Sequence, residues 1–149
     1  MEVRIETATL KLLDKLSAIE EKCFDQEAFT KRQIAYLLTD YNTLALAALA
    51  DGDVAGFVIA QVEVEETTPF GHIITINVSP SFRHKGVAQK LLEEIENLLK
   101  QKGIAESHLE VREDNNAAIK LYQSSGYQRV GKLENYYGKK HGLYLKKNL

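Results

Sequence analysis

Cysteine and long apolar segments are nearly or wholly absent from this 149-residue chain, and each absence excludes a class of protein. With Cys23 alone, the chain can form neither an internal disulfide nor a multi-cysteine zinc site. Cys23 falls in a helical apolar pattern, so we expect a buried core thiol. No apolar run approaches the length of a membrane span, and the first six residues are too charged for a signal peptide. We therefore expect a soluble, cytoplasmic protein without a membrane partner.

A strong excess of positive charge is also missing. Lysine and arginine number 19 against 21 aspartates and glutamates, a formal net charge of −2. General nucleic-acid binding needs a cationic footprint, so we do not expect a nucleic-acid partner. We interpret the basic pairs at 139–140 and 146–147 as a solvated C-terminal end. Residues 1–149 suit one domain with a substantial hydrophobic core.

Apolar periodicity predicts an α/β fold with one mixed central sheet of about seven strands, flanked by about four helices. A hairpin turn is expected at 51–53 and another turn at 67–71. The strand–helix–strand unit over 72–112 should be parallel with a right-handed crossover. Thr30 is the expected N-cap of the second helix, with Gln33 at the capping-box position. Strands are expected at residues 2–7, 44–50, 54–65, 72–78, 107–112, 127–133 and 142–147, and helices at 9–23, 30–38, 87–102 and 115–125.

The segment from Ile76 to Ala88 carries the strongest chemical signal. An apolar strand runs into a turn, Arg83 opens a short loop with Gly86, and an amphipathic helix follows. Backbone N–H groups, a helix N-terminus and cations therefore meet at one point, which is suited to a phosphate. The P-loop and dinucleotide-binding glycine patterns are absent. So are the usual zinc-protease and serine-hydrolase motifs, and the four histidines show no metal-ligand spacing, so no metal is expected.

The loop Arg83-x-x-Gly86-x-Ala88 resembles the R/Q-x-x-G-x-G/A signature of the GNAT superfamily, the acetyl-CoA-dependent N-acetyltransferases. The block from Leu109-Glu110-Val111-Arg112 to Gly126-Tyr127 is similar to one subgroup, the ribosomal-protein-alanine N-acetyltransferases and other enzymes of protein N-terminal amines. The resemblance implies a GNAT-like fold, acetyl-CoA as cosubstrate, and a protein or peptide N-terminus, such as that of a ribosomal protein, as acceptor.

The resemblance also implies which residues hold coenzyme A. The loop amides would bind the pyrophosphate, and the exposed backbone of the preceding strand would pair with the pantetheine arm. From pattern alone, Asn115 is a helix N-cap, and the side chains of Ile76 and Val78 belong to the core. The implied cofactor-binding residues are Ile76, Asn77, Val78, Arg83, His84, Lys85, Gly86, Val87, Ala88 and Asn115.

Two residues are implied to be catalytic. Glu110 would be the general base, directly or through water, and Tyr122 the general acid at the leaving thiolate. From pattern alone, Glu110 lies on a solvated strand face with His108 and Arg112, and Tyr122 is a core aromatic.

The implied acceptor site consists of two loops, at 24–29 and 136–141, with Phe24, Tyr136 and Tyr137 as contacts. Asp25 stands where relatives often have proline, which predicts a different shape for the first loop.

Attack on the thioester requires a neutral amine. A peptide α-amine has a pKa of about 8, so its deprotonation at pH 7 costs about 1 kcal/mol, against about 4–5 kcal/mol for a lysine. A partly solvated carboxylate is an adequate base for the α-amine but is poorly suited to a lysine. The chemistry therefore favours an N-terminal acceptor. Two alternatives stay open: acetylation of a small-molecule amine or a protein lysine, and a non-catalytic acyl-CoA-binding module.

Overall fold

The computed structural model describes residues 1–24 and 26–149, in which a seven-stranded sheet carries helices on both faces. The strand order is β1-β2-β3-β4-β5-β7-β6, and only the β4–β5 pair is parallel. The predicted α/β class and element order are confirmed. The elements are β1 (Arg4–Thr7), α1 (Leu13–Cys23), α2 (Lys31–Thr39), β2 (Thr43–Ala50), β3 (Asp53–Glu65), β4 (Thr68–Val78), α3 (Val87–Gln101), β5 (Glu106–Arg112), α4 (Asn116–Ser124), β6 (Gln128–Tyr137) and β7 (Lys140–Asn148), with short 3₁₀ turns at Leu10–Leu12 and Pro80–Phe82.

Apolar side chains on the two faces of the sheet form two cores. One core packs α3 and α4 against the sheet, and the other packs α1 and α2 against the opposite face. Along β3, Val58 belongs to the first core, whereas Phe57 and Ile59 belong to the second. Successive strand residues point to opposite faces, so a strand covered on both sides is apolar at every position. This explains the long apolar run in β3.

The turn expected at residues 67–71 was placed too far along the chain. β4 already begins at Thr68, and the turn contains Glu66 with φ of 58°. Pro69 is tolerated because β5 pairs with β4 only from Gly71, which leaves one edge of β4 open at Pro69. Gly71 is required by packing, since a Cβ there would lie 2.5 Å from Leu99 Cδ1.

The parallel strands β4 and β5 separate soon after they meet. They pair only at Gly71↔Ser107 and His72↔His108. On its other side, β4 has a bulge at Ile74, because β3 pairs with Ile73 and then with Thr75. A bulge bends its strand and increases the local twist, so β4 diverges from β5 and opens a gap in the sheet.

The last two strands are longer than predicted. β6 and β7 form a hairpin whose turn includes Gly138. β6 is a mostly exposed edge strand, so its sequence lacks the apolar alternation that would reveal its length. The prediction of a solvated basic C-terminal end is wrong for Lys147, whose Nζ lies 2.7 Å from an oxygen of the buried Glu96.

Candidate active site

A large cleft of about 630 Å³ lies between the end of β4, the start of α3 and α4. It includes most of the anion loop predicted from the sequence, although Lys85 is not in its wall. It also contains Asn115, whose side chain accepts a hydrogen bond from Ala118 N at 3.2 Å and so caps α4 as expected. The predicted cofactor residues in its wall are Ile76, Asn77, Val78, Arg83, His84, Gly86, Val87, Ala88 and Asn115.

The N-terminus of α3 has the properties of an anion site. Gly86 is its N-cap residue with φ of +79°, and no described side chain caps it. His84 also has a left-handed conformation, with φ of 62°. The first N–H groups of a helix have no intrahelical partner, and here they open onto the large cleft. These amides fit the pyrophosphate of coenzyme A.

The side chain of Arg83 is directed toward the end of β4. Its Nε donates to the carbonyl oxygen of Val78 at 3.3 Å, and its Nη2 donates to Cys23 Sγ at 3.4 Å. The Cys23 thiol in turn lies 3.5 Å from the same carbonyl. The expectation of a buried core thiol holds only in part: Cys23 packs against the second core, but its side chain is half-buried and lines the large cleft.

Asn77 has its side chain tied to a buried carboxyl. Its Nδ2 donates to Glu20 Oε1 at 2.7 Å and to Thr75 Oγ1 at 3.0 Å. Glu20 also accepts from Phe29 N and from Thr75 Oγ1. Burial raises the pKa of Glu20, more than these hydrogen bonds lower it. The Nδ2 of Asn77 is thus occupied, whereas its buried Oδ1 has no hydrogen-bond partner among the described residues.

A small cleft of about 230 Å³ occupies the gap between β4 and β5. Its wall contains all five residues predicted for catalysis and acceptor binding: Glu110, Tyr122, Phe24, Tyr136 and Tyr137. The two clefts meet along one wall, since both are lined by Phe24, Ile76, Asn115, Ala118 and Tyr122.

Glu110 does not lie on a solvated face. Its side chain is only 14% exposed, and its Oε1 lies 2.7 Å from His72 Nε2. His108, predicted to share that solvated face, is buried between Tyr144 and Glu106 and stacks on Phe70. The interpretation of this face as solvated is wrong for both residues, because Phe70 covers His108 and the small cleft encloses Glu110 together with Phe24, Tyr136 and Tyr137.

His72 and Glu63 are site residues that the sequence did not reveal. His72 Nδ1 lies 2.6 Å from Glu63 Oε2, so the imidazole bridges two carboxylates. Burial works to lower the pKa of His72, but hydrogen bonding and charge from Glu110 and Glu63 outweigh it, and the pKa is raised. Glu63 lies diagonally across the β3–β4 ladder, where Gln61 pairs with His72. Counted from the correct turn, the register pairs Gln61 with His72 and Glu63 with Phe70, which places Glu63 diagonally next to His72 on the same face.

Tyr122 is buried at the junction of the two clefts. Its ring packs edge-on against Tyr127, with centroids 5.9 Å apart. Burial raises the pKa of the Tyr122 hydroxyl well above its usual range. The hydroxyl therefore stays protonated at neutral pH and is able to donate a hydrogen bond. Tyr122 therefore belongs to the core, as the pattern indicated, and also lies in the wall of the small cleft.

The loop that joins α1 to α2 is linked to β5 by an ion pair. Arg112 donates from Nη1 to Glu27 Oε1 at 2.7 Å, and from Nε and Nη2 to the two carboxylate oxygens of Asp114. This arrangement holds the Glu27 side of the loop against the small cleft. The expectation attached to Asp25 lies outside the described residues.

The β6–β7 hairpin closes the other side of the small cleft. The rings of Tyr136 and Tyr137 meet edge to face, with centroids 4.9 Å apart. Burial, followed by the nearby charge of Glu110, raises the pKa of Tyr136. Both phenols thus present neutral hydroxyl groups to the cleft at neutral pH.

Residues 1–24 and 26–149 contain neither a metal-binding cluster nor a membrane-spanning helix. In that part of the chain, no group of three or more histidine, cysteine, aspartate or glutamate residues is arranged to hold a metal ion. No helix there has the length and apolar character needed to cross a membrane.

Comparison with known proteins identifies related sequences. The family model described as Acetyltransferase (GNAT) family matches residues 10–127. The [ribosomal protein bS18]-alanine N-acetyltransferase of Salmonella typhimurium is 39% identical over 94 residues, which are 63% of this chain and 61% of that protein. The match therefore spans about three fifths of that relative. An N-alpha-acetyltransferase of Sulfurisphaera tokodaii is 28% identical, with 97% of this chain and 91% of the relative covered.

Solved structures share the fold. The ribosomal-protein-S18-alanine N-acetyltransferase from Escherichia coli superposes with a TM-score of 0.87 and 24% identity, with 99% of this chain and 94% of the other covered. A chain of the NatC complex bound to Gag peptide and CoA superposes with a TM-score of 0.90 and 19% identity, with 100% and 99% covered.

Proposed function

The chain belongs to the acetyltransferase (GNAT) family, and from that premise we propose that it acetylates the N-terminal α-amine of a protein or peptide, with acetyl-CoA as donor. The observation that carries the proposal is the wall shared by the two clefts. Tyr122 and Ile76 line both, and Glu110 lines the small cleft next to them. A donor in the large cleft and an amine in the small cleft would therefore meet at Tyr122.

The small cleft suits an amine that arrives as a cation. Glu20, Glu27 and Glu110 all line it, and Arg112 there is already paired with Glu27. Carboxylates attract an ammonium group into the cleft, and Glu110 then accepts its proton. An α-amine with a pKa of about 8 loses that proton at a cost of about 1 kcal/mol at pH 7.

The chemistry then proceeds by direct attack. The neutral amine attacks the thioester carbonyl, the C–S bond breaks, and the Tyr122 hydroxyl donates a hydrogen bond or its proton to the departing sulfur. A thiol with a pKa of about 8.5 is a tolerable leaving group at neutral pH, so Tyr122 assists the step without being indispensable. The acyl group passes straight to the amine, and Cys23 has no covalent role.

The two relatives named above support an N-terminal acceptor, because both are named for N-terminal or alanine acetylation. The apolar side chains of Phe24, Phe29 and Ile74 in the small cleft fit a first residue with a small apolar side chain, such as alanine.

The test is a panel of acceptors offered with acetyl-CoA. One peptide has a free N-terminal alanine, a second has a blocked N-terminus and an internal lysine, and a third group comprises small amines. We expect mass spectrometry to locate the acetyl group on the α-amine of the first peptide. Exclusive acetylation of lysine or of a small amine would refute the N-terminal acceptor, and coenzyme A binding without any turnover would indicate a non-catalytic module.

A further inference from the structure

Three side chains from neighbouring strands form a continuous hydrogen-bonded row behind the small cleft. Glu63 on β3, His72 on β4 and Glu110 on β5 are joined by contacts of 2.6 and 2.7 Å through the two ring nitrogens of His72. Exposure falls along the row, from 39% for Glu63 to 20% for His72 and 14% for Glu110. The row therefore joins the protein surface to the candidate base.

The protonation state of His72 follows from this geometry. A neutral imidazole has one N–H and can donate to only one of two carboxylates, whereas an imidazolium donates to both. The raised pKa of His72 agrees with the imidazolium form, since the two glutamates outweigh the effect of burial.

We propose that His72, supported by Glu63, is a positioning residue that orients Glu110 toward the acceptor amine. The Nε2–H of His72 binds Oε1 of Glu110, which leaves Oε2 for the amine. In the transfer, an N–H bond of the ammonium breaks with its electron pair kept on nitrogen, and an O–H bond forms on Glu110. This role rests on the proposed function, because it requires an amine in the small cleft.

Other ionisable groups near His72 leave this assignment unchanged. Burial raises the pKa of Tyr136, Tyr137 and Tyr144, so these phenols on β6 and β7 are uncharged near neutral pH. On β5, His108 is engaged by Glu106. Among the described residues, Glu20, Glu27 and the cation Arg112 line the small cleft, and Glu65 follows Glu63 on β3.

The first experiment titrates His72 directly by NMR in coenzyme A-bound protein with labelled histidine. We expect a His72 pKa above the ordinary value of about 6.5. Both carboxylates raise this pKa, so Glu110→Gln and Glu63→Gln should each lower it. Glu65→Gln is the matched control, because Glu65 is the next glutamate on β3 and lies outside the row. A His72 that titrates normally, or that ignores both substitutions, overturns the proposal.

The second experiment measures peptide acetylation against pH. His72→Ala should lower kcat about tenfold or more and leave the KM for acetyl-CoA unchanged, and His72→Gln, which keeps one donor, should recover part of the loss. As pH rises, deprotonation of the amine should raise the rate, whereas loss of the proton from His72 should lower it. Glu63→Gln should move that fall to lower pH, and Glu65→Gln should not. Unchanged kinetics in both His72 variants would overturn the role.

Failure of the positioning role of His72 can be distinguished from failure of the proposed acetylation of N-termini. The titration needs no acceptor, so it decides whether the row exists even if no peptide is acetylated. If the wild-type protein acetylates peptides and the His72 and Glu63 variants behave as wild type, only the positioning role is refuted. Melting temperature and coenzyme A affinity, measured for each variant, identify a substitution that merely unfolds the protein.

Discussion

The two clefts that meet at Tyr122 are built from different parts of the molecule. In the large cleft, one continuous stretch from Ile76 to Ala88 supplies backbone amides and a helix end, and α4 and the end of α1 complete the wall. The small cleft is assembled from side chains of separate strands and loops, with several carboxylates among them. Backbone amides recognise a phosphate wherever the loop can form, whereas an acceptor is recognised by side chains that the fold must bring together.

The largest expected effect separates chemistry from cofactor binding. Glu110→Gln keeps the shape of the side chain and removes the base, so kcat for peptide acetylation should fall by about 10² or more. Coenzyme A affinity, measured by calorimetry, should not change. Glu113→Gln is the control, because Glu113 pairs with Lys132 away from the small cleft. Equal activity in the two variants would remove Glu110 from the mechanism.

Two tyrosines that touch each other should behave in opposite ways. Tyr122→Phe should reduce kcat about tenfold with little change in stability, because its hydroxyl is assigned to the leaving sulfur. Tyr127→Phe should leave kcat near wild type but destabilise the fold by about 1–3 kcal/mol, because its hydroxyl bonds buried Glu96 and Ser107. Acetylation assays and thermal melts on both variants would show whether Tyr122 acts in the reaction and Tyr127 only in the stability of the fold.

The importance of the anion loop can be tested with two glycines at opposite ends of α3. Gly86 and Gly103 both have φ of +79°, and a Cβ at either would meet no neighbour within 4 Å. Substitution by alanine at either position should therefore lower the free energy of unfolding by about 1 kcal/mol. Only Gly86→Ala should also raise the KM for acetyl-CoA, by about threefold to tenfold. If both variants raise it equally, the effect comes from general destabilisation of α3.

The smallest expected effect concerns the acceptor. Tyr136→Ala should raise the KM for the peptide about threefold and leave that for acetyl-CoA unchanged, because Tyr136 lines only the small cleft. Tyr41→Ala, at a tyrosine that is 99% exposed, is the control. A rise in the KM for acetyl-CoA instead would mean that the hairpin contributes to the donor site.

The strands and helices were largely predictable because most of them show strong apolar periodicity or clear caps. The capping box at Thr30 and Gln33 is present, as the sequence indicated. The prediction failed where local signals conflicted with packing. Pro69 and Gly71 resemble turn residues, yet both lie in β4, and the resulting error of four residues hid the register that brings Glu63 to His72.

The sequence by itself determined the fold class and pointed to the anion loop, because both depend on residues close together in the chain: an apolar period, a glycine, and a helix that begins just after it. The burial of Glu110 and its hydrogen bond to His72, in contrast, were decided by the tertiary structure alone. Its partner His72 is 38 residues away, and the contact exists only because β4 and β5 are paired for two residues before a bulge separates them. That separation creates the small cleft, so the sequence pointed to five residues of its wall but not to His72, which joins Glu110 to Glu63 across two neighbouring strands.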